Sequence, residues 1–295
     1  GGRVDEGPEA AHGAERYPAT AWPGRPLRRT YRHRHERGTG MSVLPLQSGD
    51  CLATVDTAAG GRVASLTVHG EELVCGPTAG IDTFLWGIYP MVPFAGRVRN
   101  GRIFFRGTGA QFELNAPPHA MHGFVHSNEW RVHEKTDSAV VMVTELAPPW
   151  PWRAVLFHTI SLHGWKLRMD MSVFARDEQP MMIGWHPWFR RPCTAALEFG
   201  AMYERGDDHL PTGRLIRPRT EDVDDCFTDP VSDPVITVGG VRTTLHSDCS
   251  HWVVFDGMEH GVCVEPQSGP PNGVNDSPHV VRAGGEMRRW FEIRW

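Results

Sequence analysis

The chain has 295 residues and a formal net charge of −5. Residues 1–40 hold eight arginines against five acids, so the remaining 255 residues carry about −8, which argues against nucleic acid or an anionic membrane as partner. No run approaches the ~18 apolar residues of a membrane helix.

Residues 1–40 are rich in Gly, Pro, Ala, Arg and Glu and have almost no apolar periodicity. Such a segment cannot bury enough apolar surface to offset chain entropy. We expect a disordered leader, or upstream sequence ahead of Met41. Its basic run, RRTYRHRHER, is interrupted by Glu and Gly and is expected to be a solvated tail.

From Met41 onward, apolar runs are short and alternate, as in AVVMVTEL, RAVLFHTISLHG, WKLRMDMSVFA and HWVVFDG. Val, Ile, Phe, Trp and Thr dominate them, and Gly, Pro, Asp or Asn punctuate between. The stretch ISLHGWKLRMDMSV predicts two strands joined at His163-Gly164. Gly and Pro total 56 residues, too many for a helical protein. The expected fold is all-β, one large antiparallel β-sandwich over residues 41–295. The six cysteines form no C-x-x-C pair and are expected to be buried free thiols of a reducing, cytoplasmic compartment.

Four stretches could carry chemistry. In YPMVPFAGRVRNGRIFF, Arg97 sits in a Pro- and Gly-framed loop. It is either a forked donor for a hydroxyl-rich ligand or an ordinary loop arginine. Arg99 and Arg102 are expected to be surface groups. In PPHAMHGFVHSNEW, His119, His122 and His126 suggest a metal, but strand residues three apart point to opposite faces. H-E-x-x-H and H-x-H pairs are absent, so no metal is expected. The three are either loop histidines with one packed in the core, or one of them hydrogen-bonds a substrate, with His122 favoured because Gly123 leaves room beside it. In MMIGWHPWFRRP, His186 lies among Trp185, Pro187, Trp188 and Phe189. Apolar rings disfavour imidazolium, which suits a general acid or base near neutral pH or, equally, a packed core histidine. In HGVCVEPQSGPPNG, Val262 and Val264 share one strand face and Cys263 and Glu265 the other. The strand is expected to stop at Pro266, fixing Glu265 at its end as a candidate acid or base.

The order of these pieces resembles the aldose 1-epimerase (mutarotase) family. FAGRVRNGRI, HAMHGFVH, GWHPWFRR, VDDCFTD and VEPQSGPPNG occur in the family's order over essentially all of Met41–Trp295. The resemblance implies a galactose mutarotase-like supersandwich that interconverts the anomers of a free hexose or related aldose. It implies Arg97, His122 and Asp224 as sugar-binding residues, with adjacent Asp225 competing for the last role. It further implies His186 as the acid at the ring oxygen and Glu265 as the base on the anomeric hydroxyl. No cofactor is expected, the partner is a monosaccharide, and the protein is a monomer or homodimer. The alternatives are a hexose-6-phosphate 1-epimerase, with Arg99 or Arg102 as extra cations, and a non-catalytic carbohydrate-binding module. GRVRNGRI departs from the shorter GR-x-x-N-R-I loop of galactose mutarotases, so galactose is not implied as the substrate.

Overall fold

Period-two runs of Val, Ile, Phe, Trp and Thr fold as strands along most of the chain. In the computed structural model, which describes residues 42–79, 81–221 and 223–295, they assemble into two large antiparallel sheets. The expected leader, residues 1–40, lies outside the described residues. The first sheet has eleven strands. Its centre runs in spatial order through Ile88–Met91, Gly184–Arg190, Gly261–Gln267, His251–Phe255 and Asp224–Pro230. The second has eight, with Ala154–His163, Lys166–Ala175 and Glu286–Arg294 side by side. The predicted hairpin is the pair Ala154–His163 and Lys166–Ala175, closed by Gly164 and Trp165. Among the described residues the one α-helix is Gly273–Asp276. The chain is therefore nearly all β, as expected.

The sheets pack through large aromatics. Trp185 and Trp252 of the first sheet approach Phe291 of the second at 6.2 and 6.3 Å between ring centroids. His158 is buried between them. Its Nε2 accepts from the Trp185 indole at 3.2 Å, and its Nδ1 lies 3.1 Å from the Gly61 carbonyl. Nδ1 therefore carries the hydrogen, and burial pushes the imidazole down to about 4.

The sequence-based expectation fails at one strand end. Gly261–Gln267 does not stop at Pro266 but runs through it. Proline's fixed φ fits an extended chain, and its missing N–H removes only one ladder bond. The register with His251–Phe255 continues unbroken, Trp252 opposite Pro266, and Gln267 lies opposite both Gly184 and His251. Glu265 is thus an interior residue of a central strand.

Candidate active site

Two neighbouring strands build the floor of the site. In their antiparallel register Gly184 lies opposite Gln267 and Trp188 opposite Cys263, which sets His186 against Glu265. Alternation then sorts the faces: Trp185 points into the sandwich core, while His186 points to the outer face. There His186 Nε2 and Glu265 Oε1 stand 3.2 Å apart, both side chains more than nine-tenths buried. Gln267, two residues along, donates from Nε2 to Glu265 Oε2 at 3.2 Å. On the other flank Tyr89 lies opposite His186 and stacks on it at 4.7 Å and 19°. Trp188 stacks beyond, at 5.4 Å.

His122 arrives on a loop with φ +63, and its ring meets His186 edge-on at 5.0 Å. Its backbone N–H donates to the Gly96 carbonyl at 3.0 Å, and its Nδ1 accepts from the Gly96 N–H at 3.3 Å. A backbone N–H can only donate, so in the neutral ring the hydrogen sits on Nε2. The expected reason for Gly123 was space beside His122. The structure gives another: a Cβ at Gly123, φ +66, would lie 2.2 Å from the Val92 carbonyl oxygen.

Arg97 pairs with Met121 in a two-stranded ribbon, and its carbonyl accepts from Asn272 N–H at 2.7 Å. Its guanidinium reaches Asp224 at 3.3 Å. The two adjacent aspartates are distinct. Asp225 is fully buried and held by Arg219 at 2.6 Å and Arg205 at 3.4 Å. Asp224 stays about a quarter exposed beside Arg97. All five predicted site residues, Arg97, His122, His186, Asp224 and Glu265, border one cleft of about 220 Å³. Leu85, Trp188, Phe255 and Met258 give it an apolar wall, and Tyr203 and Arg205 a polar one.

Burial dominates the electrostatics. It drives His186 down to about 3, with the Arg62 and His126 charges adding to the effect. It raises Glu265 well above the usual carboxylate range, reinforced by Asp224 and opposed by Gln267 and Arg97. It lowers His122 too, helped by His186, His126 and Arg97. Apart from sugar, the floor therefore favours a carboxylic acid beside a neutral imidazole.

His122, His186 and Glu265 each bring a donor atom within 4.8 Å of the others. The set does not fit a metal well. The bare nitrogen of His122 is already taken by the Gly96 N–H, and the other nitrogen carries the hydrogen. Ligation would cost that hydrogen bond, and Glu265 would have to ionise against its surroundings.

Arg99 and Arg102 lie outside the cleft lining; Arg99 pairs with Asp208, and Arg102 donates to Gln111 at 3.0 Å. Sequence inspection missed Gln267, Tyr89, Tyr203 and Arg205. Gln267 was findable: two residues beyond Glu265, it shares its face once the strand is carried through the proline.

Residues 44–292 match the family model described as aldose 1-epimerase. The chain belongs to the aldose 1-epimerase family. Among family-like structures, a galactose mutarotase-like protein from Clostridium acetobutylicum superposes with a TM-score of 0.76 at 16% identity, covering 85% of this chain and 94% of that one. Galactose 1-epimerase from Lactobacillus acidophilus superposes with a TM-score of 0.73 at 13% identity, covering 89% and 97%. At those identities the likeness speaks for the aldose 1-epimerase fold alone. The uncharacterized protein YihR of Escherichia coli K12 is 23% identical over 85% of this chain and 92% of its own length.

Proposed function

We propose that this protein is an aldose 1-epimerase acting on a free hexose or related aldose. The observation that carries this is the Glu265–His186 pair, 3.2 Å apart on the floor of a cleft with an apolar wall and the polar side chains of Arg97, His122 and Asp224 around it. In ring opening, Glu265 takes the proton of the anomeric hydroxyl while His186 protonates the ring oxygen, and the C1–O5 bond breaks. Rotation about C1–C2 and reclosure with the proton movements reversed give the other anomer. No redox change, covalent adduct or external reactant is needed.

The two sugar forms call for two protonation states of one pair. The cyclic sugar meets carboxylate and imidazolium; the open aldehyde meets carboxylic acid and neutral imidazole. The second is the state that burial favours, and Arg97, which stabilises the Glu265 carboxylate, draws the pair toward the first. Acid–base groups placed in this way contribute roughly 10²–10⁴-fold in rate. Arg97, Asp224 and the Nε2–H of His122 hold the hydroxyls, and the Trp188 side packs the apolar sugar face. No metal or other cofactor enters the proposal, and the six free cysteines fit a reducing compartment.

A free sugar is favoured over a sugar phosphate because the cations first suggested for the phosphate, Arg99 and Arg102, lie outside the cleft lining. Arg205 does line it, but contacts Asp224 and Asp225 at 3.6 and 3.4 Å. Freshly dissolved α-anomers of several aldoses, with glucose 6-phosphate alongside glucose, are to be followed by polarimetry. Acceleration with a free aldose supports the proposal. A marked preference for the phosphate, or no acceleration over buffer with tight sugar binding, overturns it.

A further inference from the structure

The first sheet holds a cation with no acidic partner behind the catalytic pair. Arg62 is fully buried. Its Nε donates to the Ala59 carbonyl at 2.5 Å, Nη1 to those of Thr83 and Trp86 at 2.5 and 3.0 Å, and Nη2 to that of His126 at 3.0 Å. Among the described residues no carboxylate pairs with it. Asp56, its cross-strand neighbour, accepts instead from the N–H groups of Ala58 and Ala59. Burial lowers the guanidinium only to about 10, so it stays charged at neutral pH.

Its placement ties it to the chemistry. The guanidinium carbon lies 4.2 Å from the Trp86 ring centroid and 5.0 Å from that of Tyr89. Tyr89 is the ring stacked on His186. The carbonyls it binds belong to the segments bearing Phe84 and Leu85, on the cleft wall, and His126, just after His122. A cation costs several kcal/mol to bury, and four carbonyl acceptors alone are a weak reason to keep one.

We propose that Arg62 is a positioning residue for His186, holding the Tyr89 ring against the imidazole and placing a fixed positive charge that drives the shared proton toward Glu265. Arg97 acts on the other member, favouring the Glu265 carboxylate. The two arginines therefore pull one proton in opposite directions, Arg62 with burial and Arg97 against it. The groups facing His186 are Glu265 from one neighbouring strand, Tyr89 from the other, Trp188 on its own strand and His122 from the loop; beyond Tyr89 lie the charged Arg62 and the His126 imidazole, which burial lowers to about 4. This inference rests on the acid–base role proposed for His186.

The test is titration of the His186 imidazole by NMR in the full chain without sugar, assigned with His186→Asn. Wild type, Arg62→Lys and Arg62→Gln are compared, and the pH dependence of kcat is measured alongside. The expected result is an upward shift of about one pH unit in Arg62→Gln, a wild-type value in Arg62→Lys, and an acid limb of kcat that moves with it while KM changes little. An unchanged His186 titration in Arg62→Gln overturns the proposal even if activity falls. Where Arg62→Gln does not fold, the other two proteins decide: His186 titrating near ~6.5 in wild type or in Arg62→Lys overturns it. Absence of epimerase activity in the wild type strikes the functional proposal alone, since the titration stays readable.

Discussion

Gln267 donates a hydrogen bond to one oxygen of Glu265, 3.2 Å away, and so leaves the other oxygen to His186. The carboxyl plane is thereby fixed by the strand that carries it. Such fixing matters because displacements of about 1 Å cost on the order of 10²-fold in rate.

Replacing the carboxyl while keeping its shape is the sharpest test of that arrangement. Glu265→Gln is expected to fold normally by circular dichroism and to lose roughly 10²–10⁴-fold in anomer interconversion, read by polarimetry or NMR saturation exchange. Wild-type rates in this variant would remove Glu265 from the mechanism.

Arg97 and Asp224 contact each other on the cleft wall and are the groups proposed to hold sugar hydroxyls. Asp224→Asn should raise KM by about tenfold, equivalent to ~1.4 kcal/mol, with kcat changed much less. A fall in kcat at constant KM would place Asp224 in the proton transfer instead.

Metal removal should be silent. Dialysis against a chelator is expected to leave the rate unchanged, because His122 cannot offer a free nitrogen without losing the Gly96 hydrogen bond. Loss of activity restored by a divalent ion would reverse that assignment.

His158 links acidity to stability. Its folded value, about 4, lies below the ordinary ~6.5, so as pH falls the unfolded chain takes up the proton first. Its contribution is fully present above pH ~6.5 and is lost between there and about 4, on the order of 3 kcal/mol in all. Urea unfolding of wild type and His158→Gln at several pH values checks this. The gap between them should narrow toward low pH, and a constant gap would show that His158 does not titrate across folding.

Gly123→Ala should lower the melting temperature by about 4–8 °C, corresponding to ~2 kcal/mol or more of strain. The Cβ would need to displace the Val92 carbonyl, and φ +66 disfavours any side chain. Calorimetry gives the value; an unchanged transition would mean that the loop yields without cost.

Much of this was legible in the sequence because strands advertise themselves locally. The alternation in ISLHGWKLRMDMSV foretold the longest hairpin, and Val262/Cys263/Val264/Glu265 sorted correctly into two faces. The failure at Pro266 has a physical origin: proline signals a break only where its N–H is needed, and the sequence does not say which ladder bonds a strand can forgo. The same error hid Gln267. Tyr89, Arg205 and Arg62 were invisible for a different reason. Their roles depend on which strands become neighbours, and no local pattern places Ile88–Met91 beside Gly184–Arg190. Asp224 and Asp225 could be separated only by seeing Arg219 close on the second of them.

The pair proposed to handle protons, His186 and Glu265, sits on rungs whose reverse sides, at Trp185 and Val264, form the hydrophobic interior. Selection for thermal robustness and selection for turnover therefore act on the same few rungs. The walls come from other segments: Leu85, Met258 and Tyr203 line the cleft but lie outside the two strands that carry the pair. Laboratory evolution toward a new sugar should accumulate changes along this rim and leave the sheet centre untouched.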